Sequence, residues 1–454
     1  KDFSLKRYDL NTVGSELVGE EKDPVKKSDI PKYWKGNQKN YELLVSYSRK
    51  DSVLALNLLL KLKLLDKRIA LANVSGTLLQ DILDSGETTK IENLLLREFN
   101  KEDFILPCRP DKVEVSRRDK LRKIGLTGGY VIEPDKGLHS SVIVLDFKSM
   151  YPSIMRTYNM CPTTLIMGDD VEGSHHSPTG ARFVPENVRP GIVSEILKKL
   201  MEERGKVKKE MKDVTDPDKT RALAAKQFAL KIMANAFYGH FGYPRAKVYS
   251  LDIANSITSF GRETIKKTKN YVEKEFGYKV VYGDTDSVMV KVPFEELDDL
   301  KRVGDEIAKK MTATLDGIME LEFEKAFKRF LPLTKKRYAA WYFEVQKNEW
   351  KEGMLAKGIE TVRRDWCDLT SETIQRILDI ILKENDVPKA VKYFKEIVTN
   401  LVAGKVPIDK LIVTKTLTKR PKLYANIQPH SELVKRIQKR TPAEAPGVGD
   451  RIGY

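Results

Sequence analysis

Apolar and polar positions alternate along the chain in three distinct manners. Residues 40–66 repeat their apolar positions at helical spacing, and Asp81 to Phe99 continues in the same way. The apolar stretch from Leu54 to Ala72 is interrupted by Asn57, Lys61, Lys63, Asp66, Lys67 and Arg68, so it predicts an amphipathic helix and not a membrane span. Ser141 to Leu145 is a short, nearly continuous apolar run suited to a buried strand, and it ends at Asp146. Glycines and prolines between Gly168 and Gly191 predict a loop. Two long helical patterns follow, Ile192 to Lys212 and about Lys219 to Tyr238, around a polar turn that holds Asp213 and Pro217. Such a pair predicts an antiparallel helical hairpin projecting from a body. From Tyr278 to Val292 the period shortens to strand–turn–strand, with Val280 and Val281 before a polar tip and Val288, Met289 and Val290 after it. Beyond Asp365 the pattern is helical and increasingly basic.

Charge narrows the class of partner. The 454 residues carry 81 Lys and Arg against 65 Asp and Glu, a net charge of +16 that favours a polyanion. Residues 401–454 hold eleven of the basic residues and only four acids. Cys108, Cys161 and Cys367 stand far apart without a CxxC pair, which argues against a zinc ribbon, an iron–sulfur cluster or a disulfide framework.

Two constellations can carry chemistry. Asp146 closes a predicted buried strand, and Asp284 and Asp286 flank the tip of the predicted hairpin. Residues two apart on a strand face the same way, so these carboxylates can converge. An isolated Asp-Thr-Asp is more often an ordinary polar turn. Converging carboxylates at strand ends, however, suit a hard divalent ion such as Mg²⁺, and two such ions serve phosphoryl transfer. On the predicted helical hairpin, Arg204 and Lys208 lie one turn apart, and Gln227, Lys231, Asn235 and Tyr238 form one stripe. These cations can hold a triphosphate, Arg as a fork and Lys as a point charge. Lys198, Lys199, Lys206, Lys209 and Lys212 read as a solvated face.

Five segments then resemble the motifs of family B DNA polymerases, in family order and at family spacing. Asp146-Phe-Lys-Ser-Met-Tyr-Pro-Ser-Ile154 resembles DxxSLYPSI, with Met150 for Leu. Lys231 to Gly239 resembles KxxxNSxYG, with Ala236 for Ser, and Tyr282 to Ser287 is YGDTDS unchanged. Lys335 to Tyr338 matches KKRY, and Lys357 to Asp365 matches KGxExxRRD. The resemblance, to replicative-like members of archaeal type, implies an α/β right-hand fold. Its expected parts are a remnant of a 3′–5′ exonuclease domain over 1–72, an antiparallel-sheet palm over 73–190 and 246–365, helical fingers over 191–245, and an incomplete helical thumb over 366–454. The expected activity is template-directed addition of dNTPs to a primer 3′ end with two Mg²⁺ ions.

Roles follow residue by residue from the resemblance. Asp146 and Asp286 are expected to ligate the metals with the Phe147 carbonyl, and Asp284 to be a less direct acid. Arg204, Lys208, Lys231 and Asn235 are expected to grip the triphosphate. Tyr151 would exclude a 2′-hydroxyl and Tyr238 would line the nascent pair. Lys335, Lys336, Arg337 and Tyr338 would hold the DNA backbone. Leu126-Thr-Gly-Gly129 lacks the Tyr of the family's YxGG element. Tyr47 and Asp51 resemble the third exonuclease motif, YxxxD, without DxE or NxxxFD upstream, so little proofreading is expected of this chain. Expected partners are primer–template DNA, dNTPs, a second chain supplying exonuclease or thumb sequence, and a sliding clamp. The expected location is cytoplasmic and nucleoid-associated in an archaeon, or nuclear in a eukaryote. A scaffold subunit without catalysis and a nuclease are the rival readings; the presence of all three acids and of Tyr151 disfavours the first, and the triphosphate stripe, which would lack a purpose there, disfavours the second.

Overall fold

The apolar run at 141–145 sits at the centre of a seven-stranded sheet. A computed structural model of the chain describes residues 5, 8–25, 29–346, 348–362, 365–442 and 445–454. Arg363 and Arg364 of the KGxExxRRD segment lie outside the described residues. The N-terminal part is helical: α1 (Leu10–Val18), α2 (Ile30–Trp34), α3 (Gln38–Lys61), α4 (Leu64–Ser75), α5 (Leu79–Asp84), α6 (Glu87–Lys101) and α7 (Lys112–Gly125). The two helices expected here are each broken once. Lys63 takes a left-handed conformation (φ 52°) between α3 and α4, and Ser85-Gly86 separates α5 from α6.

The sheet comprises β1 (Val131–Ile132), β2 (His139–Phe147), β5 (Lys279–Asp284), β6 (Ser287–Lys291), β7 (Leu321–Thr334), β8 (Arg337–Gln346) and β9 (Glu349–Lys357). Its order is β1-β5-β6-β2-β7-β8-β9, and every pairing is antiparallel. β2 is buried on both faces, which explains its unbroken apolar run where a half-exposed strand would alternate. Ile143, Leu145 and Phe147 face one core together with α11 (Leu251–Glu275) and α12 (Leu297–Thr312). Val142 and Val144 face a second, aromatic core of Tyr282, Phe327, Phe330 and Tyr338. Asp146 continues the phase of Val142 and Val144, so it leaves the sheet at the edge of the aromatic face.

The helical hairpin is α9 (Ile192–Asp213) and α10 (Pro217–Phe241), within a turn of the predicted spans. Asp216 caps α10 by accepting from the Asp218 N–H, and Pro217 occupies the first turn, where its missing N–H costs nothing. Helix α8 (Met150–Thr157) follows β2 and packs on α9, α10 and α11 at the hairpin's base, and α4 packs along α10. The predicted loop at 168–191 carries a small antiparallel pair, β3 (His175–His176) with β4 (Arg182–Phe183).

The C-terminal part is helical as expected, with α13 (Asp368–Asp379), α14 (Val387–Val402) and α15 (Pro429–Arg440). It also contains a pairing of β10 (Thr414–Thr416) with β11 (Arg451–Gly453). Among the described residues no helix is long and apolar enough to cross a membrane. Mixed helix and antiparallel sheet fits the expected α/β class.

Candidate active site

The tip of the β5–β6 hairpin is built under strain. The Asp286 N–H donates to the Asp284 carbonyl at 2.7 Å across Thr285, whose φ is +65°. That closes a tight three-residue turn in a backbone region that a β-branched residue rarely adopts. Two contacts hold it there: the Thr285 N–H donates to the Tyr130 carbonyl at 3.0 Å, and its hydroxyl donates to Asp284 Oδ1 at 3.0 Å. Gly283 is required below the tip, since a Cβ there would lie 2.7 Å from Ile132 Cδ1 and 2.9 Å from the Ser287 carbonyl. On the neighbouring strand, Asp146 pairs with Ser287 in register, and a bulge against β7 falls between Val144 and Leu145. The Phe147 N–H donates to the Asp286 carbonyl at 2.9 Å, tying the end of β2 to the hairpin tip. Strand end, bulge and strained turn thus bring Asp146 and Asp286 to one place.

The electrostatics of that place are unusual. Burial pushes the Asp146 carboxyl up from 3.8 to about 8, helped by the negative charges of Asp286, Glu324 and Glu322 and opposed by Lys231. Burial, with Asp284 and Glu324 adding to it, also raises Asp286. Among the described residues no Lys or Arg makes an ion pair with either carboxylate. Asp284 differs: Lys336 Nζ lies 2.6 Å from its Oδ1. The three acids therefore divide into two without an ion-pair partner among the described residues, Asp146 half-buried and Asp286 exposed, and a neighbour paired with Lys336. Among the described residues no group of three or more His, Cys, Asp or Glu is arranged to hold a metal.

Cations of the hairpin gather beside these acids, Lys231 acting on Asp146 and Arg204 and Lys208 on Glu322. Burial pulls the Arg204 guanidinium and the Lys208 ammonium below their ordinary values, with Glu322 opposing both. Arg204 Nε is buried without a hydrogen-bond partner. Lys208 is depressed further by Arg204, Lys148 and Lys231, so these four cations converge. Lys231 and Asn235 are exposed and Tyr238 is half-buried. The Tyr238 ring packs on Tyr151 with centroids 4.6 Å apart.

The KKRY residues do not behave alike. Lys335 pairs with Glu133 at 2.8 Å, Lys336 with Asp284, and Arg337 with Glu360. Tyr338 is only 8% exposed and packs edge-on to Phe330 and tilted to Tyr282, so its ring belongs to the aromatic core. Tyr47 and Asp51 do share a face of α3, remote in sequence from the other acids, and both engage Lys22. Its Nζ lies 2.6 Å from Asp51 Oδ2 and donates to the Tyr47 hydroxyl at 3.3 Å.

Sequence reasoning missed Glu320, Glu322 and Glu324. Glu322 pairs in register with Asp146, and Lys148 bridges Glu320 at 2.9 Å and Glu322 at 3.6 Å. The signal was present: acids alternate with Leu321 and Phe323, placing 320, 322 and 324 on one face of a strand.

Comparison with known proteins bears on this geometry. Residues 77–454 match the model of DNA polymerase family B. The DNA polymerase delta catalytic subunit of Candida albicans is 37% identical over 470 positions, covering 100% of this chain and 44% of that protein. The subunit of the same name from Oryza sativa subsp. japonica is 37% identical, covering 100% of this chain and 42% of its own length. That of Caenorhabditis elegans is 36% identical, with 100% and 43% covered. The chain thus spans less than half the length of these curated relatives, all three of which are eukaryotic.

Proposed function

The chain belongs to DNA polymerase family B, and on that premise we propose that it carries the nucleotide-adding centre of a template-directed DNA polymerase. The observation that carries this reading is the meeting of Asp146 and Asp286 where the end of β2 is tied to the β5–β6 tip, with Lys231 acting on Asp146 and with Arg204 and Lys208 acting on the neighbouring Glu322. An acidic pair opposite a cationic cluster suits divalent ions on one side and a triphosphate on the other. The sheet acts as the palm, the α9–α10 hairpin as the fingers, the helices after Asp365 as part of a thumb, and residues 1–72 as part of an exonuclease domain.

The residues present fit a divalent metal: two carboxylates held up by burial with no ion-pair partner among the described residues would gain most from a hard cation. Asp146, Asp286 and the Phe147 carbonyl would hold it, substrate phosphates completing the shell. Two Mg²⁺ ions supply, when bound, charge stabilisation for the attacking primer oxygen and the departing pyrophosphate. Arg204 offers its fork to the triphosphate, and Lys208 and Lys231 neutralise its charge, which balances the acids across the cleft. Tyr151 occupies the space that a 2′-hydroxyl would need, and Tyr238 supports that ring from the hairpin side. Asp284 holds Lys336 in place, and Lys335 and Arg337 add phosphate contacts that fix register without reading sequence. The relatives' names support a place as part of a DNA polymerase delta catalytic subunit, hence a nuclear, replicative role with a sliding clamp as partner.

Primer extension tests the reading. With a 5′-labelled primer, a longer template, four dNTPs and Mg²⁺, the chain should extend the primer to the template end, and Asp286→Asn should not. Degradation without extension would favour a nuclease, and binding alone a scaffold. An Asp286→Asn variant that extended at the unaltered rate would remove the acidic pair from the chemistry.

A further inference from the structure

Tyr151 is held in a cage whose walls are set in large part by α11, outside the recognised motifs. On one side lies α11. A Cβ at Gly261 would stand 3.1 Å from Tyr151 Cε1 and 3.2 Å from Met150 Cε, so the ring packs against bare backbone. On another side lies the strip at 125–129. A Cβ at Gly129 would stand 2.9 Å from the Tyr151 hydroxyl and 2.9 Å from Thr285 Cγ2. Tyr238 closes a third side.

The strip is itself fastened to α11 by residues at helical spacing. Asn255 Nδ2 donates to the Gly125 carbonyl at 2.8 Å, and its Oδ1 accepts from the Thr127 N–H at 3.1 Å. Thr258 Oγ1 donates to the Thr127 carbonyl at 2.8 Å. Arg262 Nη1 donates to the carbonyls of Thr127 and Gly128 at 3.2 and 2.9 Å. Positions 255, 258 and 262 form one stripe, and Gly261, beside it, meets the ring. One helix therefore sets both the near wall and the anchoring of the far wall. With α11, the strip and Tyr238 filled, the side left to the ring is the cleft, which matches its being only partly exposed.

We propose that Gly129, Gly261 and Arg262 are positioning residues that set how far Tyr151 reaches into the cleft, and so determine selectivity for deoxyribose over ribose. The proposal rests on the reading of Tyr151 as the group that excludes a 2′-hydroxyl. Added bulk at either glycine moves the ring outward, since contacts of 2.9–3.2 Å must open by some tenths of an ångström. Loss of the Arg262 hydrogen bonds lets the far wall retreat and the ring with it.

The test measures incorporation of matched dNTP and rNTP by the chain on primer–template, together with equilibrium binding of each nucleotide to a complex with a dideoxy-terminated primer. Gly261→Ala should weaken dNTP binding and raise its KM about three- to tenfold, scaled from the cost of sub-ångström misplacement, and should disfavour rNTP more. Arg262→Met should lower the dNTP:rNTP ratio by a similar factor, and Arg262→Lys should recover part of it. Gly129→Ala should be less harmful in a Tyr151→Phe background, where one of its two close contacts is gone. A merely structural role would change Tm and leave the sugar ratio alone. Tyr151→Ala separates the layers: if it relaxes selectivity while Gly261→Ala and Arg262→Met keep the unaltered ratio, the cage proposal falls and the exclusion reading stands. If Tyr151→Ala leaves the ratio unchanged, both fall. Should Gly261→Ala not fold, the Arg262 pair decides.

Discussion

Asp146→Asn should stabilise the metal-free chain at alkaline pH while abolishing primer extension. The carboxyl is three-stranded in its confinement: β6 on one side, β7 on the other, and the hairpin tip above. Its pKa is raised from 3.8 to about 8, chiefly by burial and then by Asp286, Glu324 and Glu322. A group raised in the folded state binds its proton more tightly there than in the unfolded chain. Its favourable contribution is therefore complete below the unfolded value and is lost as pH rises through the folded one. At roughly 1.4 kcal/mol per pH unit, the full span corresponds to at most about 6 kcal/mol, and relaxation around a partly exposed carboxyl reduces this to about 2–4 kcal/mol. Asparagine keeps the shape without the charge. In EDTA its advantage should grow from about pH 4 and level off above about pH 8, reaching on the order of 3–8 °C in the transition of the sheet-containing part. Added Mg²⁺ should stabilise the unaltered chain and erase much of the difference, because a ligand of the native state raises its stability by mass action. Thermal melts of both proteins at pH 4.5 and 8.5, with and without Mg²⁺, decide the matter. An Asn variant equal to or less stable than the parent at pH 8.5 in EDTA would refute the argument, as would an advantage independent of pH.

Other perturbations probe other parts. Lys231→Ala should raise the KM for dNTP about tenfold or more and lower kcat, with primer–template affinity and its salt dependence nearly unchanged in a binding titration. Asp284→Asn and Lys336→Ala should each reduce extension less than Asp286→Asn, and the double variant should be no worse than the poorer single one, since each releases the other's partner at 2.6 Å. Lys22→Ala should destabilise the N-terminal helices by about 1–3 kcal/mol in denaturant melts, because it leaves Asp51 unpaired with one oxygen already buried and unsatisfied.

What was legible in the sequence was whatever a local period could encode. The run at 141–145, the two helices of the hairpin and the strand–turn–strand at 279–291 announced themselves because burial on one face or two imposes a repeat of known length. The break at Lys63 did not, because its left-handed turn is made by a lysine without glycine or proline to mark it. The pairing of β10 with β11 joins residues some thirty-five positions apart, and no local period carries that information. Tyr338 shows the same limit at the level of a motif. The four KKRY residues are contiguous, yet strand alternation and the approach of Phe330 and Tyr282 bury one ring and leave the cations at the surface.

The acids at the candidate site show why spacing finds participants but not their states. Asp284 and Asp286 are two residues apart and chemically identical, so the sequence offers no reason to rank them by charge. The strained turn at Thr285 separates them. It directs the Thr285 hydroxyl and Lys336 to Asp284, while Asp286 goes to the end of β2 beside Asp146. Register then brings Glu322 alongside Asp146, and the hairpin brings Arg204, Lys208 and Lys231 opposite. Burial disfavours the charged form of Asp146 and Asp286, and burial likewise disfavours the charged form of Arg204 and Lys208, with Arg204 Nε left without a hydrogen-bond partner. The two halves of the site stand on different elements, sheet and hairpin, which keeps them apart. The energy held in that separation is what a cation and a polyanionic substrate, bound between the two halves, would release.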